Sequence, residues 1–207
     1  MSLSAPPPGD AVVSFTVERW RVPPATQIRS TWLISSQAAL RERGHFDAYD
    51  QLLPPLRRVE VLGVVPGQWL PIETAVAHYE ACDGLGLTDE EVVEMGEAAT
   101  RRALTSTLAV FLKLARVTGV TPWTFFGQAD KLYERTACGG QVAVFRLGPK
   151  DARLEVAGFP LARFRYVRVA VRGIIQAMTG ALAERAYVRE VPALCSASTL
   201  GYVVSWA

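Results

Sequence analysis

The sequence predicts an α+β fold: an N-terminal helical block followed by a β-β-α-β-β antiparallel sheet with a long packed helix. Three observations carry this expectation. Apolar residues recur at helical spacing through most of residues 30–134. They alternate with polar residues, or run as short β-branched stretches, in 141–148, 152–158, 187–191 and 200–206. A helical pattern over about 163–185 separates the two strand pairs, so helices gather on one side of a small sheet. Of the 207 residues 50% are hydrophobic and 20% charged, enough to bury a full core without disulfides.

Residues 1–10 read as a proline-rich tail, 11–27 as an N-terminal strand and extension, and 28–207 as one α+β domain. Val13, Phe15 and Val17 alternate with Ser14, Thr16 and Glu18, which predicts a strand over 12–20 ended by Pro23-Pro24. Residues 30–43 read as a helix stopped by Gly44, with arginines at its negative end. Phe46 to Leu53 is a second helix broken by Pro54-Pro55, and 61–69 is a turn-rich connection. Leu70-Pro71 opens a helix with an Ile72, Ala75, Val76, Tyr79 stripe, closed by the glycines of 84–87. Thr88 and Glu91 form a T-x-x-E capping box for a helix from about 89 to 103. A very apolar helix follows within 104–117, and Thr121-Pro122 caps one that bears Trp123, Phe125, Phe126, Leu132 and Tyr133. Pro149-Lys150-Asp151 turns a hairpin, and Val167, Ala170, Val171, Ile174, Ala177, Met178 and Ala181 make the buried face of the long helix.

The formal net charge of +2 argues against a general nucleic-acid binder, but it hides an asymmetry. Residues 59–100 carry nine acidic and no basic side chains; residues 101–207 carry fifteen basic and six acidic ones. Such segments either neutralise each other within one fold or steer association. Arg165, Arg168 and Arg172 share one face of the long helix and are a candidate interaction surface, against an ordinary reading as a solvated face.

Chemistry-bearing motifs are sparse. Three scattered cysteines, Cys82, Cys138 and Cys195, predict no disulfide framework and a reducing, cytoplasmic home. The N-terminus has neither the charge nor the apolar run of a signal peptide, and no apolar run reaches 18 residues. His78 and Cys82 share a helix face, yet spacing supplies only two of the ligands that zinc needs. No partner is placed to activate a thiol. No phosphate loop, dinucleotide fingerprint or nucleophile elbow occurs. Phe111, Trp123, Phe125 and Phe126 are candidates to line an apolar pocket, with core packing as the ordinary alternative.

The C-terminal run of RYVRVAVRGIIQAMTGALAER, AYVREV, Cys195 and GYVVSW resembles the C-terminal half of 4-vinyl-reductase-like ligand-binding domains. These share a fold with haem nitric-oxide-binding domains and with a core subunit of vesicle-tethering complexes. Earlier segments, TWLISSQAALRERG, GQWLPIETAVAHYE, the Met95-Gly96-Glu97 helix and FRLGPKDARLEV, resemble a paralogous family found mainly in myxobacteria. The resemblance covers about residues 28–207. It implies a dimer-forming scaffold that holds an apolar ligand between helices and sheet. Haem-binding members use an axial histidine on a central helix and a Tyr-x-Ser-x-Arg clamp. Residues 89–134 contain no histidine, and Tyr133-Glu-Arg135 lacks the serine and the spacing. A C-terminal zinc cluster is not carried over either, because Cys195 stands alone there.

The expectation is therefore a non-catalytic regulatory or assembly domain that self-associates or binds a protein partner, with no cofactor and no metal. The alternative is a small-molecule sensor with an apolar pocket, and a weaker one is an enzyme.

Overall fold

The computed structural model describes residues 9–103 and 121–207. The helix expected within 104–117, and Phe111 with it, lies outside the described residues. The first half holds β1 (Asp10–Val13), β2 (Gln27–Arg29), α1 (Thr31–Glu42), α2 (Phe46–Leu52), α3 (Pro55–Leu62), β3 (Trp69–Pro71), α4 (Ile72–Gly84) and α5 (Asp89–Ala103). The second holds α6 (Pro122–Phe126), α7 (Ala129–Glu134), β4 (Ala137–Cys138), β5 (Gln141–Gly148), β6 (Asp151–Ala157), α8 (Arg165–Gly180), β7 (Ala186–Glu190) and β8 (Thr199–Trp206). The α+β class is the observed one, and the β-β-α-β-β order holds.

The larger sheet has five antiparallel strands in the order β1-β5-β6-β8-β7; a three-stranded sheet, β3-β2-β4, joins the two halves of the chain. α8 packs along the larger sheet, where the Tyr202 hydroxyl of β8 donates to the Arg168 carbonyl at 2.8 Å. Its opposite side meets α5 so closely that a Cβ on Gly96 would collide with the Ala170 carbonyl oxygen. The contact is reciprocal, for a Cβ on Gly173 would collide with the Val93 carbonyl oxygen. Glycine at both positions lets the two helix backbones touch.

The local signals explain most boundaries. Gly44, at φ 74°, ends α1 in a conformation that suits glycine. The Thr88 amide donates to Glu91 Oε2 at 2.8 Å and the Glu91 amide to Thr88 Oγ1 at 3.3 Å, the two halves of the capping box.

Four expectations need correction. The strand over 12–20 is only Asp10–Val13: its register slips between Ala11 and Val13, and the Thr16 amide turns to the Gln141 side chain at 2.8 Å. α3 was not expected, because Pro54-Pro55 reads as a break. Pro55 instead starts a helix, at a position where no N–H is needed. The connection over 61–69 therefore begins in the last turn of α3 and ends in β3. The helix after Thr121 is two short helices, since the chain turns at Gly127-Gln128. The long helix covers 165–180 rather than 163–185, because the Asp83 carboxylate fixes its start and a Leu182-to-Thr179 turn follows its end.

Candidate functional site: a cavity between α1, α5 and α8

Side chains of α1, α4, α5 and α8 leave a cavity of about 350 Å³. Trp32, Ala39, Met95, Ala170, Ile174 and Met178 form much of its apolar wall among the described residues. Its polar lining residues include Ser35, Ser36, Thr100, Thr136 and Tyr166. The sequence builds this arrangement from spacing. Trp32, Ser36 and Ala39 share a face of α1, and Val167, Ala170, Ile174 and Met178 share a face of α8. Gly96 lets α8 approach the wall without filling it.

Tyr166 is held from both ends. Its backbone amide donates to Asp83 Oδ1 at 2.6 Å, and the neighbouring Arg165 amide donates to Asp83 Oδ2 at 3.0 Å. Its hydroxyl lies 3.0 Å from Ser36 Oγ and donates to Met95 Sδ at 3.8 Å. Behind Ser36 runs a buried polar chain. Ser36 Oγ is 3.9 Å from Cys82 Sγ, which is 3.6 Å from His78 Nε2. His78 Nδ1 is 2.6 Å from the Tyr49 hydroxyl. Burial keeps every member neutral near pH 7: it pushes the His78 imidazole down to about 3 and raises the Tyr49, Cys82 and Tyr166 groups above their ordinary values. The chain therefore offers hydrogen bonds rather than charge.

Three of the aromatic residues expected to line a pocket sit elsewhere. Trp123, Phe125 and Phe126 cluster with Trp206, with Trp123 and Trp206 ring centres 5.1 Å apart. The Trp123 indole N–H donates to the Pro149 carbonyl at 2.7 Å. The arginine face is largely engaged within the chain. Arg165 pairs with Asp89 and donates to the Leu87 carbonyl at 2.7 Å. Arg168 lies 3.5 Å from Glu190 and donates to the Ala162 and Arg163 carbonyls, while Arg172 is half-buried. Asp89–Arg165 and Glu94–Arg43 (2.7 Å) also show where the acidic 59–100 segment meets basic side chains.

His78 and Cys82 do share a helix face, but among the described residues no group of three His, Cys, Asp or Glu side chains is placed to hold a metal ion. Burial raises the half-buried Cys195 thiol to about 11, and its sulfur donates to the Val191 carbonyl at 3.4 Å. Sequence reasoning missed the lining role of Trp32, Ser36, Met95 and Tyr166. The α8 stripe was visible, but its pattern reads as core, and only the structure shows that part of it faces empty space.

No protein-family model matches the chain, and no curated protein matches it. Solved structures do share its fold. An oxygen-binding H-NOX domain related to soluble guanylate cyclases is 13% identical, with a TM-score of 0.56, over 86% of this chain and 95% of that one. A variant of the T. tengcongensis H-NOX domain is 12% identical, with a TM-score of 0.57, over 86% of this chain and 97% of that one. A third, from work on the mechanism of H-NOX activation, has a TM-score of 0.53 at 13% identity and covers 86% of this chain. The fold is thus the H-NOX-like one. No described helix is long and apolar enough to cross a membrane.

Two further structures of this fold, 13% and 12% identical with TM-scores of 0.55 and 0.56, come from work on haem distortion, and the cavity of this chain does not fit that group. Haem iron takes histidine, cysteine thiolate or tyrosine as its protein ligand, with methionine serving beside a histidine, so Met95 and Met178 alone would not hold it. His45 stands at the start of α2, 3.9 Å from Glu91, and does not line the cavity. His78 has both ring nitrogens engaged in the buried chain. The lining phenols of Tyr79 and Tyr166 are held protonated by burial. The described lining also carries no cationic side chain to meet the propionates.

Proposed function

We propose that this chain is a small-molecule-binding sensor module that takes an apolar ligand into the cavity between α1, α5 and α8, without haem and without bond chemistry. The single observation behind this reading is the cavity itself. It lies in the size range of ligand pockets, and its described walls are mainly apolar with a minority of hydroxyl-bearing side chains. The H-NOX-like fold supports it by likeness of architecture. A cytoplasmic location and kinship with the vinyl-reductase-like and myxobacterial families belong to the same proposal.

Native mass spectrometry of freshly purified protein tests it. A co-purified mass, or a mass shift with small apolar compounds, is expected, and Ala99→Leu in the cavity wall should abolish it. Protein that stays free of every such compound would overturn the reading.

A self-associating or partner-binding output is a second reading, favoured by one observation. Leu56 and Val59 of α3 are 98% and 85% exposed, beside the partly exposed Leu52. Light scattering across concentration and salt checks it; a monomer throughout would sink it.

A further inference from the structure

The buried polar chain can order its protons in two directions, and one of them selects the ligand. The Tyr166 proton has two acceptors within reach, Ser36 Oγ at 3.0 Å and, in the order that leaves it open to a ligand, Met95 Sδ at 3.8 Å, which cannot donate. In this second order Ser36 donates to the Tyr166 oxygen, and with its one proton spent its own oxygen accepts from the Cys82 thiol. Cys82 in turn accepts from His78 Nε2–H. That leaves Nδ1 of the neutral ring to accept the Tyr49 hydroxyl at 2.6 Å. In that order every proton in the chain points from Tyr49 toward the cavity.

The last link is the weakest. Sulfur at 3.8 Å is a poor acceptor, and Met95 and Tyr166 both line the cavity. With the protons so ordered, Tyr166 holds a donor that the protein itself leaves poorly satisfied, and the Ser36 bond keeps its oxygen occupied from behind.

We infer that Tyr166 is a ligand-binding residue whose hydroxyl donates to a hydrogen-bond-accepting oxygen, a carbonyl or ether, on an otherwise apolar molecule. This rests on the cavity being a ligand site. The bound oxygen displaces Met95 Sδ as acceptor, and Ser36, Cys82, His78 and Tyr49 act as positioning residues that hold the donor direction. A ligand that offers only hydrocarbon at this point leaves the Tyr166 proton to Ser36 or sulfur and gains nothing from it.

Acetophenone and α-methylstyrene are a fitting probe pair, alike in shape but for an oxygen exchanged for a CH₂ group. Calorimetry on the full chain should show Tyr166→Phe binding acetophenone about fivefold more weakly than the unaltered protein does, the worth of one net hydrogen bond. The same variant should bind α-methylstyrene with unchanged affinity, because that probe offers no acceptor. Met95→Leu removes the competing acceptor and should tighten acetophenone alone, by about two- to threefold. This second variant moves affinity in the opposite direction, which misfolding would not do. Acetophenone affinity unchanged in Tyr166→Phe, or weakened equally for the two probes, overturns the donor assignment while leaving the cavity reading intact. If neither probe binds, the cavity reading falls and takes this inference with it.

Discussion

Asp83 near the end of α4 accepts the backbone amide of Tyr166 at the start of α8, at 2.6 Å. One helix therefore caps another across 83 residues of chain. The carboxylate satisfies two amides that have no partner within α8 and sits at the positive end of its dipole. Cys82, one residue earlier, belongs to the polar chain that holds the Tyr166 hydroxyl. Adjacent residues of α4 thus fix both the main chain and the side chain of one cavity residue.

Removing that cap should be costly. Asp83→Ala is expected to lower stability by about 1–2 kcal/mol, as lost N-caps do, and Asp83→Asn by less, since one acceptor oxygen remains. Urea unfolding measures both. A midpoint unchanged in Asp83→Ala would mean that the cap contributes nothing.

Gly96→Ala or Gly173→Ala should each destabilise by about 1–3 kcal/mol, because the added methyl must push α5 and α8 apart. The two positions guard the same crossing. Once one alanine has separated the helices, the second meets less resistance, so the double variant should lose less than the sum of the singles. Strict additivity in thermal or urea unfolding would contradict a shared crossing.

Acid should weaken the protein through His78. The imidazole is neutral when folded, pushed down to about 3 from 6.5 by burial. Unfolded chains bind a proton there as pH falls below 6.5 and folded ones do not, so stability present above 6.5 is lost progressively toward 3. The window between pH 6.5 and 5 isolates the effect, because Glu60 and Glu91 are lowered from 4.5 and titrate only below it. Urea midpoints should fall steadily across that window. A flat profile there would show that His78 is not buried neutral.

Haem should find no home in the cavity. Protein expressed with excess haem precursor should purify without a Soret band, and added hemin should give no saturable spectral change. A stoichiometric complex with a sharp Soret band would reverse the argument from His45, His78 and the uncharged described lining.

The sequence made much of the framework legible and little of the site. Strands such as Gln141–Gly148 announce themselves by β-branched runs, and the Thr88–Glu91 box marks a helix start through its own chemistry. These are local signals. The cap on α8 is not local: Arg165 and Tyr166 carry no mark that their partner is Asp83. The cavity is hidden for a related reason. Ala170 and Ile174 at helical spacing look alike whether they face a neighbour or a void, and Ser36 looks like any serine until Cys82 and Tyr166 flank it. The aromatic run at Trp123, Phe125 and Phe126 drew attention because it is conspicuous, while its actual neighbour, Trp206, lies at the other end of the chain.

β1 pairs with only part of β5, through Asp10, Ala11 and Val13 opposite Arg146, Phe145 and Val144. Short as it is, it covers Val144 and Phe145 of β5, which would otherwise lie on the open margin of the larger sheet. An uncovered margin of that composition is a template on which other chains stack. The first strand thus serves as a guard against self-templated aggregation. Trimming the chain past Val13 should be felt less in the cavity than in how long the protein stays in solution.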